Sequence, residues 1–241
     1  PHRKNILRLP SLTSPHIHNH HMNSPYAICI GRQLGSGGRQ IGHILAQQLG
    51  IAYYDKEILS IAAEESGLGR GVFERNDERK GFLHTFLGAV QPFFGGGDFY
   101  ANQLSEENLF TLQSGVIKKV ANERSGIFIG RVADYILRDH PRMASVFIAA
   151  NTDDRVHRIM ETEKVDMKTA IRKVEDGDSQ RANYYNFYSS GTWGNADNYD
   201  LCINSSVLGI NKTAEIIRDF VVQKLQIELP QETISPTPEV F

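Results

Sequence analysis

The sequence predicts an α/β domain in three layers, a five-stranded parallel sheet covered by helices on both faces. Two observations carry this. Short β-rich apolar runs alternate along the chain with longer stretches whose apolar residues recur at helical spacing. Strands separated by helices run parallel and bury both faces. The 241 residues, 40% hydrophobic and 22% charged, suffice for one domain with a sizeable core and match an ordinary globular composition.

Tyr26–Ile30 reads as the first strand and runs into a glycine cluster; Ile41, Ile44, Leu45 and Leu49 then mark a helix that Gly50 closes. Ile51–Tyr54 is the second strand, and Glu57–Ser66 a helix ended by Gly67. Residues 68–103 are less regular, rich in aromatics and broken at Gly95-Gly96-Gly97. Ser105 caps a strong helix over Ser105–Asn122, with Leu109, Leu112, Val116 and Val120 on one face. Gly126–Gly130 and Ser145–Ala150 are the third and fourth strands. Helices follow at Asp153–Glu163 and from Asp166 to about Tyr185. Leu201–Asn204 is the fifth strand and Lys212–Gln226 the last helix. Residues 1–24 and 229–241 lack periodicity and read as tails around a domain at 25–228. His16, His18, His20 and His21 in the first tail are a weak, compositional metal signal.

The formal net charge of -2 gives no global positive field, so nucleic acid is not an expected partner. No apolar run approaches the roughly 18–20 residues that span a bilayer, and no secretory leader pattern opens the chain. The two cysteines, Cys29 and Cys202, sit in apolar runs, which favours reduced, packed thiols and a cytoplasmic setting.

The most informative stretch runs from Ile28 through Gly31-Arg32-Gln33-Leu34-Gly35-Ser36-Gly37-Gly38-Arg39-Gln40 to Ile41, between a strand and a helix. Glycines let the backbone turn tightly, so that its N–H groups converge on an anion at the helix N-terminus. Gly35, Ser36, Gly37, Gly38, Arg39 and Gln40 are therefore the candidate phosphate cradle, with Arg39 as a forked cation. The alternative is a tight glycine turn without a ligand. The stretch departs from the P-loop pattern G-x-x-x-x-G-K-[ST]. Arg32 stands at the first glycine and Gly38 at the lysine, and no Ser or Thr follows in Arg39-Gln40.

Gly35-Ser36-Gly37-Gly38-Arg39, Tyr54-Asp55-Lys56-Glu57, Ile129-Gly130-Arg131-Val132-Ala133-Asp134-Tyr135-Ile136-Leu137, Trp193-Gly194 and Tyr199-Asp200-Leu201-Cys202-Ile203-Asn204 follow one another in an order and spacing that resembles the cytidylate kinase-like family. The resemblance covers residues 26 to about 224. It implies a P-loop NTPase-type fold with a helical lid at about 152–190, and ATP and Mg²⁺ as cofactors. It implies that Arg131 holds the phosphate of an acceptor nucleotide, with Asp55 and Asp134 beside it. It also implies that Arg155, Arg158 and Arg181, with Asp178 of the Asp178-Ser179-Gln180-Arg181 element, serve the transferring phosphoryl group together with Arg39.

Residue chemistry is compatible with these roles, because phosphoryl transfer needs positioning and positive donors more than covalent chemistry. Arg155 and Arg158 share a helix face by spacing. The alternative for them is a solvated face paired with Asp153, Asp154 or Glu161. The bacterial cytidylate kinases, of which the family looks like a divergent branch, carry an Asp where this chain has Ile129, so Ser36, Asp55 and Asp134 are the candidates for a metal. For Asp134 a helix N-terminal charge is the other reading. Trp193, Tyr184, Tyr185, Phe187, Tyr188 and Tyr199 are candidates for base stacking or for packing. The expected function is ATP-dependent phosphorylation of a nucleoside monophosphate, CMP or dCMP. Two alternatives stand beside it: a kinase of the same fold with another small acceptor, and a nucleotide-binding regulatory protein without turnover. Segment 82–100 is a candidate surface for a homo-oligomer.

Overall fold

The computed structural model describes residues 24–55 and 106–228. Five strands form one parallel sheet: β1 (Ala27–Arg32), β2 (Ala52–Tyr54), β3 (Gly126–Ile129), β4 (Met143–Ala149) and β5 (Leu201–Asn204). Their order is β2-β3-β1-β4-β5. The chain leaves central β1 towards one edge for β2 and β3, then crosses to the other side for β4 and β5. Such a reversal opens a crevice at the carboxyl ends of the strands, where ligands of open α/β sheets collect.

The alternation along β1 and β3 builds the layers. Ile28, Ile30, Ile127 and Ile129 point to one face, with Val146 and Ile148 of β4. They meet Ile41 and Leu45 of α1 (Gly38–Leu49) and Ala214, Ile217 and Val221 of α6 (Ser205–Leu225). Ala27, Cys29 and Phe128 point to the other face, against Val116, Ile117 and Val120 of α2 (Glu106–Glu123) and Ala133 and Ile136 of α3 (Ala133–Ile136). Each buried Ile or Val of this kind contributes on the order of 1.5–3 kcal/mol by leaving water. α4 (Thr152–Glu163) and α5 (Met167–Tyr188) form a hairpin with a small core of its own, Val156, Ile159, Ala170 and Val174.

The three-layer fold and its five strands agree with the sequence reading, and the differences lie at ends. β1 continues two residues past Ile30, because Gly31 and Arg32 keep pairing with Phe147 and Ile148 of β4. α6 begins at Ser205 rather than Lys212. Asn204 caps it by accepting from Ser206 N (2.9 Å), but exposed Val207 and Leu208 and non-helical Gly209 spoil the periodicity of its first turns. The four-residue α3 is too short to carry a period. Cys29 is buried as expected, whereas Cys202 is exposed because β5 is an edge strand. Ser105, the expected helix Glu57–Ser66, segment 68–103 with its candidate oligomer surface, the histidines and both tails lie outside the described residues. Among the described residues no helix is long and apolar enough to cross a membrane.

Candidate active site

β1 delivers the chain to the glycine loop at the carboxyl edge of the sheet. Gly35 (φ 77°) and Gly37 (φ 76°) take left-handed conformations and turn it into α1. No side chain caps α1, so its first amides stay available to an anion. Gly38, Arg39 and Gln40 open the helix, with the Arg39 and Gln40 side chains exposed. Ser36 is fully buried. Its hydroxyl donates to Gln33 O (2.9 Å), and its carbonyl accepts from Ser205 Oγ (2.7 Å). Ser36 thus knits the loop to the N-terminus of α6, and its hydroxyl faces the protein.

Arg32 is the residue that the sequence reading passed over. Its Cβ and Cγ lie 2.7 and 2.9 Å from where a side chain at Gly38 would begin, and a side chain at Gly130 would collide with its Nη1. The arginine therefore spans from the glycine loop to the end of β3. Burial pulls its guanidinium down to about 9, and Arg181, Arg39 and Arg131 push the same way by like-charge repulsion. Arginine stays charged at neutral pH, so the shift expresses a cation short of counter-charge. Arg181 is lowered by burial too; Arg39, Arg131 and Arg155 add to that, and Asp178, 4.0 Å away, opposes it.

Arg131 comes from an unusual turn. Gly130 (φ 67°), Arg131 (φ 59°) and Val132 (φ 57°) are left-handed in succession after β3. For a β-branched valine this is a strained backbone, at a cost of order 1–3 kcal/mol, and such strain clusters at functional sites. Hydrogen bonds hold the turn: Ala133 N donates to Gly130 O (3.1 Å), and Gln113 Nε2 of α2 donates to Arg131 O (3.3 Å) while also reaching Tyr184 Oη (3.3 Å). Gln113 carried no sequence signal, being one polar residue within an apolar helix face.

The α4–α5 hairpin is fastened to the loop. Asp178 accepts Leu34 N (2.7 Å) on one oxygen and Arg155 Nη1 on the other. Arg155 is buried against Asp178 and does not pair with Asp153, Asp154 or Glu161 on its own helix. Arg158 Nη1 donates to Gly35 O (2.9 Å), and Arg181 Nη1 to Gly177 O (2.8 Å). Asp178, Arg155 and Arg158 thus meet the glycine loop, while Arg181 bonds its own helix at Gly177 beside Asp178.

Asp134 sits buried in the first turn of α3, and Tyr185 Oη of α5 donates to it (2.7 Å). Burial raises the carboxyl, while the Tyr185 hydrogen bond and backbone amides work to lower it. The Tyr185 hydroxyl is raised as well, first by burial and then by Asp134. Asp55 follows β2 on the same sheet edge, half-buried. Among the described residues no three His, Cys, Asp or Glu side chains gather as a metal cage. Tyr185 and Tyr199 are core residues with Val132 and Phe147, and Tyr184, Tyr188 and Trp193 pack around them. Phe187 is exposed beside Tyr188.

A parallel sheet of this order, with a glycine loop opening its first helix, defines a P-loop kinase-type α/β protein. The chain belongs to the Cytidylate kinase-like family, which it matches over residues 27–207. Its fold is similar to that of an uncharacterized protein from Eubacterium ventriosum ATCC 27560, 28% identical, with a TM-score of 0.62 over 81% of this chain and 98% of that one. It is also similar to a gluconokinase from Sinorhizobium meliloti 1021, 10% identical, with a TM-score of 0.51 over 84% of this chain and 94% of that one. Compared with curated proteins, the chain finds no match.

Proposed function

We propose that this protein transfers the γ-phosphoryl group of ATP to a nucleoside monophosphate, CMP or dCMP. One observation carries the reading. Arg32, Arg39, Arg131 and Arg181 stand near enough to act on one another at the carboxyl edge where β1 and β3 end, beside an uncapped helix N-terminus, with Asp178 beside Arg181. Several cations gathered at one helix N-terminus suit a multiply charged anion, and two phosphates facing one another are such an anion. Family membership supplies the reaction class.

In the transfer, an oxygen of the acceptor monophosphate attacks the γ-phosphorus in line. The bond from that phosphorus to the β–γ bridging oxygen breaks, and ADP leaves with the electron pair. The loop amides and Arg39 hold the donor phosphates, Arg131 holds the acceptor phosphate, and Arg181 neutralises charge between them. The α4–α5 hairpin acts as the lid. Arg158 is one hydrogen bond from the loop and can exchange Gly35 O for a phosphate oxygen.

A protein-held Mg²⁺ fits the described residues poorly. Ser36 turns its hydroxyl to Gln33, Asp134 is buried on Tyr185, and no three acidic or histidine ligands gather. Magnesium is better read as arriving on the ATP phosphates with most of its waters.

A panel of nucleoside monophosphates with ATP and Mg²⁺ tests the reading. Turnover of CMP or dCMP is expected. Turnover of a different acceptor moves the protein to a same-fold kinase of other specificity. ATP binding without turnover of any acceptor makes it a nucleotide-binding regulatory protein.

A further inference from the structure

We propose that Arg32 is the phosphate-gripping cation of this loop, moved to the end of β1 from the position that Gly38 now occupies, and that it touches donor and acceptor phosphates at once. The inference rests on the reading of the site as a phosphoryl-transfer centre.

In the P-loop pattern a lysine reaches the β- and γ-phosphates from the first turn of the helix, and a glycine stands five residues before the second glycine of the motif. Counted back from Gly37, that earlier position is Arg32, and the lysine position is Gly38. The two departures look independent in the sequence, yet in the fold they are one. β1 extends to Arg32 through its pairing with Ile148, which sets the arginine's stem against the first turn of α1. A Cβ at Gly38 would fall 2.7 Å from Arg32 Cβ and 2.9 Å from Cγ, so no side chain fits there while Arg32 is present. Backbone conformation imposes no such demand: Gly38 is helical and does not share the left-handed φ of Gly35 and Gly37. Take Arg32 away, and the next neighbour is Ser36 Oγ at 3.5 Å, an ordinary contact. Arginine at 32 and glycine at 38 are thus a steric pair that keeps one cation at the mouth of the loop.

The far end of the side chain shows what the cation serves. Its Nη1 lies over Gly130, at the point where a side chain would begin, and Gly130 precedes Arg131 in the strained turn. A lysine on α1 would be a point charge on the donor side. The arginine side chain runs from Gly38 to Gly130, and its planar guanidinium, at the Gly130 end, offers paired donors to oxygens on both sides of the transferring phosphorus. Among the described residues no ion pair engages it. Its neighbours are the cations Arg39, Arg131 and Arg181, so an incoming polyphosphate relieves repulsion as well as forming bonds.

Moving the charge tests this. The variants are R32Q, R32G and the double variant R32G/G38K, with ATP and inorganic pyrophosphate binding measured by calorimetry and melting followed in parallel. R32Q and R32G should weaken both ligands by at least about 10-fold. R32G/G38K, with lysine restored to the helix, should return ATP affinity to within about 3-fold of wild type. A residue that only packs the loop is not rescued by a cation placed elsewhere. Wild-type affinity in a folded R32Q, or a double variant as weak as R32G, overturns the proposal while leaving the kinase reading intact. If R32G fails to fold, R32Q against wild type decides. Wild-type protein that binds neither ATP nor pyrophosphate sinks the kinase reading and this proposal with it.

Discussion

The Asp178 carboxylate closes on the Arg155 guanidinium with one oxygen and accepts the backbone N–H of Leu34 with the other. One carboxylate thereby ties α4, α5 and the glycine loop together. Both side chains are largely buried, so removing one partner strands the other. Asp178→Ala should cost about 3 kcal/mol or more of stability, the range for breaking a buried pair. Urea unfolding measures it; a loss under about 1 kcal/mol would assign the pair to the weak surface class.

Arg39 is exposed at the rim of the loop, on the first turn of α1. Arg39→Ala should weaken ATP binding by about 1.5–3 kcal/mol, the value of a charge-assisted hydrogen bond. Calorimetric titration with ATP checks it, and an unchanged dissociation constant removes Arg39 from the donor site.

Arg131 lies in the strained turn after β3, at the carboxyl edge of the sheet. As the acceptor clamp, Arg131→Ala should raise the acceptor KM and lower kcat/KM by roughly 10- to 100-fold, about 1.4–2.8 kcal/mol, with ATP affinity near wild type. Steady-state kinetics with melting in parallel decides; unchanged acceptor kinetics in a folded variant would falsify the assignment.

Asp134 predicts a pH signature. Its carboxyl is raised by burial, so the folded protein holds that proton more firmly than the unfolded chain does. The stability it contributes is fully present below the unfolded value near 3.9 and is lost as pH rises through the folded value. Asp134→Asn keeps an acceptor for Tyr185 and abolishes the titration. The melting temperature of the variant relative to wild type should therefore rise from about pH 4 towards neutrality and then level off. A difference that stays flat across that window shows that burial does not shift this carboxyl.

Hydrogen exchange tests the hairpin as a lid. Arg158 bonds Gly35 O, and Arg155 is committed to Asp178. Closure on substrate should slow exchange across residues 152–190 when ATP and CMP are added together. Equal protection with and without them marks a fixed structural hairpin.

Much of this was written locally in the chain. The continuous apolar runs through Ile28, Cys29 and Ile30 and through Ile127, Phe128 and Ile129 specified a sheet buried on both faces. The period of Ile41, Leu45 and Leu49 specified α1, and Gly50 its end, because hydrophobic period and chain-reversing glycines are properties of neighbouring residues. The glycine loop was legible for the same reason. Tertiary structure alone decided which charges meet. Arg32 ends β1 and Gly130 follows β3, and they come together only because β3 pairs beside β1. Asp178 reaches Leu34 across 144 residues of sequence, and Tyr185 reaches Asp134 across 51. Pairings at such separations leave no period and no spacing rule in the sequence. They follow from strand order and helix docking, so the reciprocity of Arg32 and Gly38 became visible only once β1 and α1 were folded against each other.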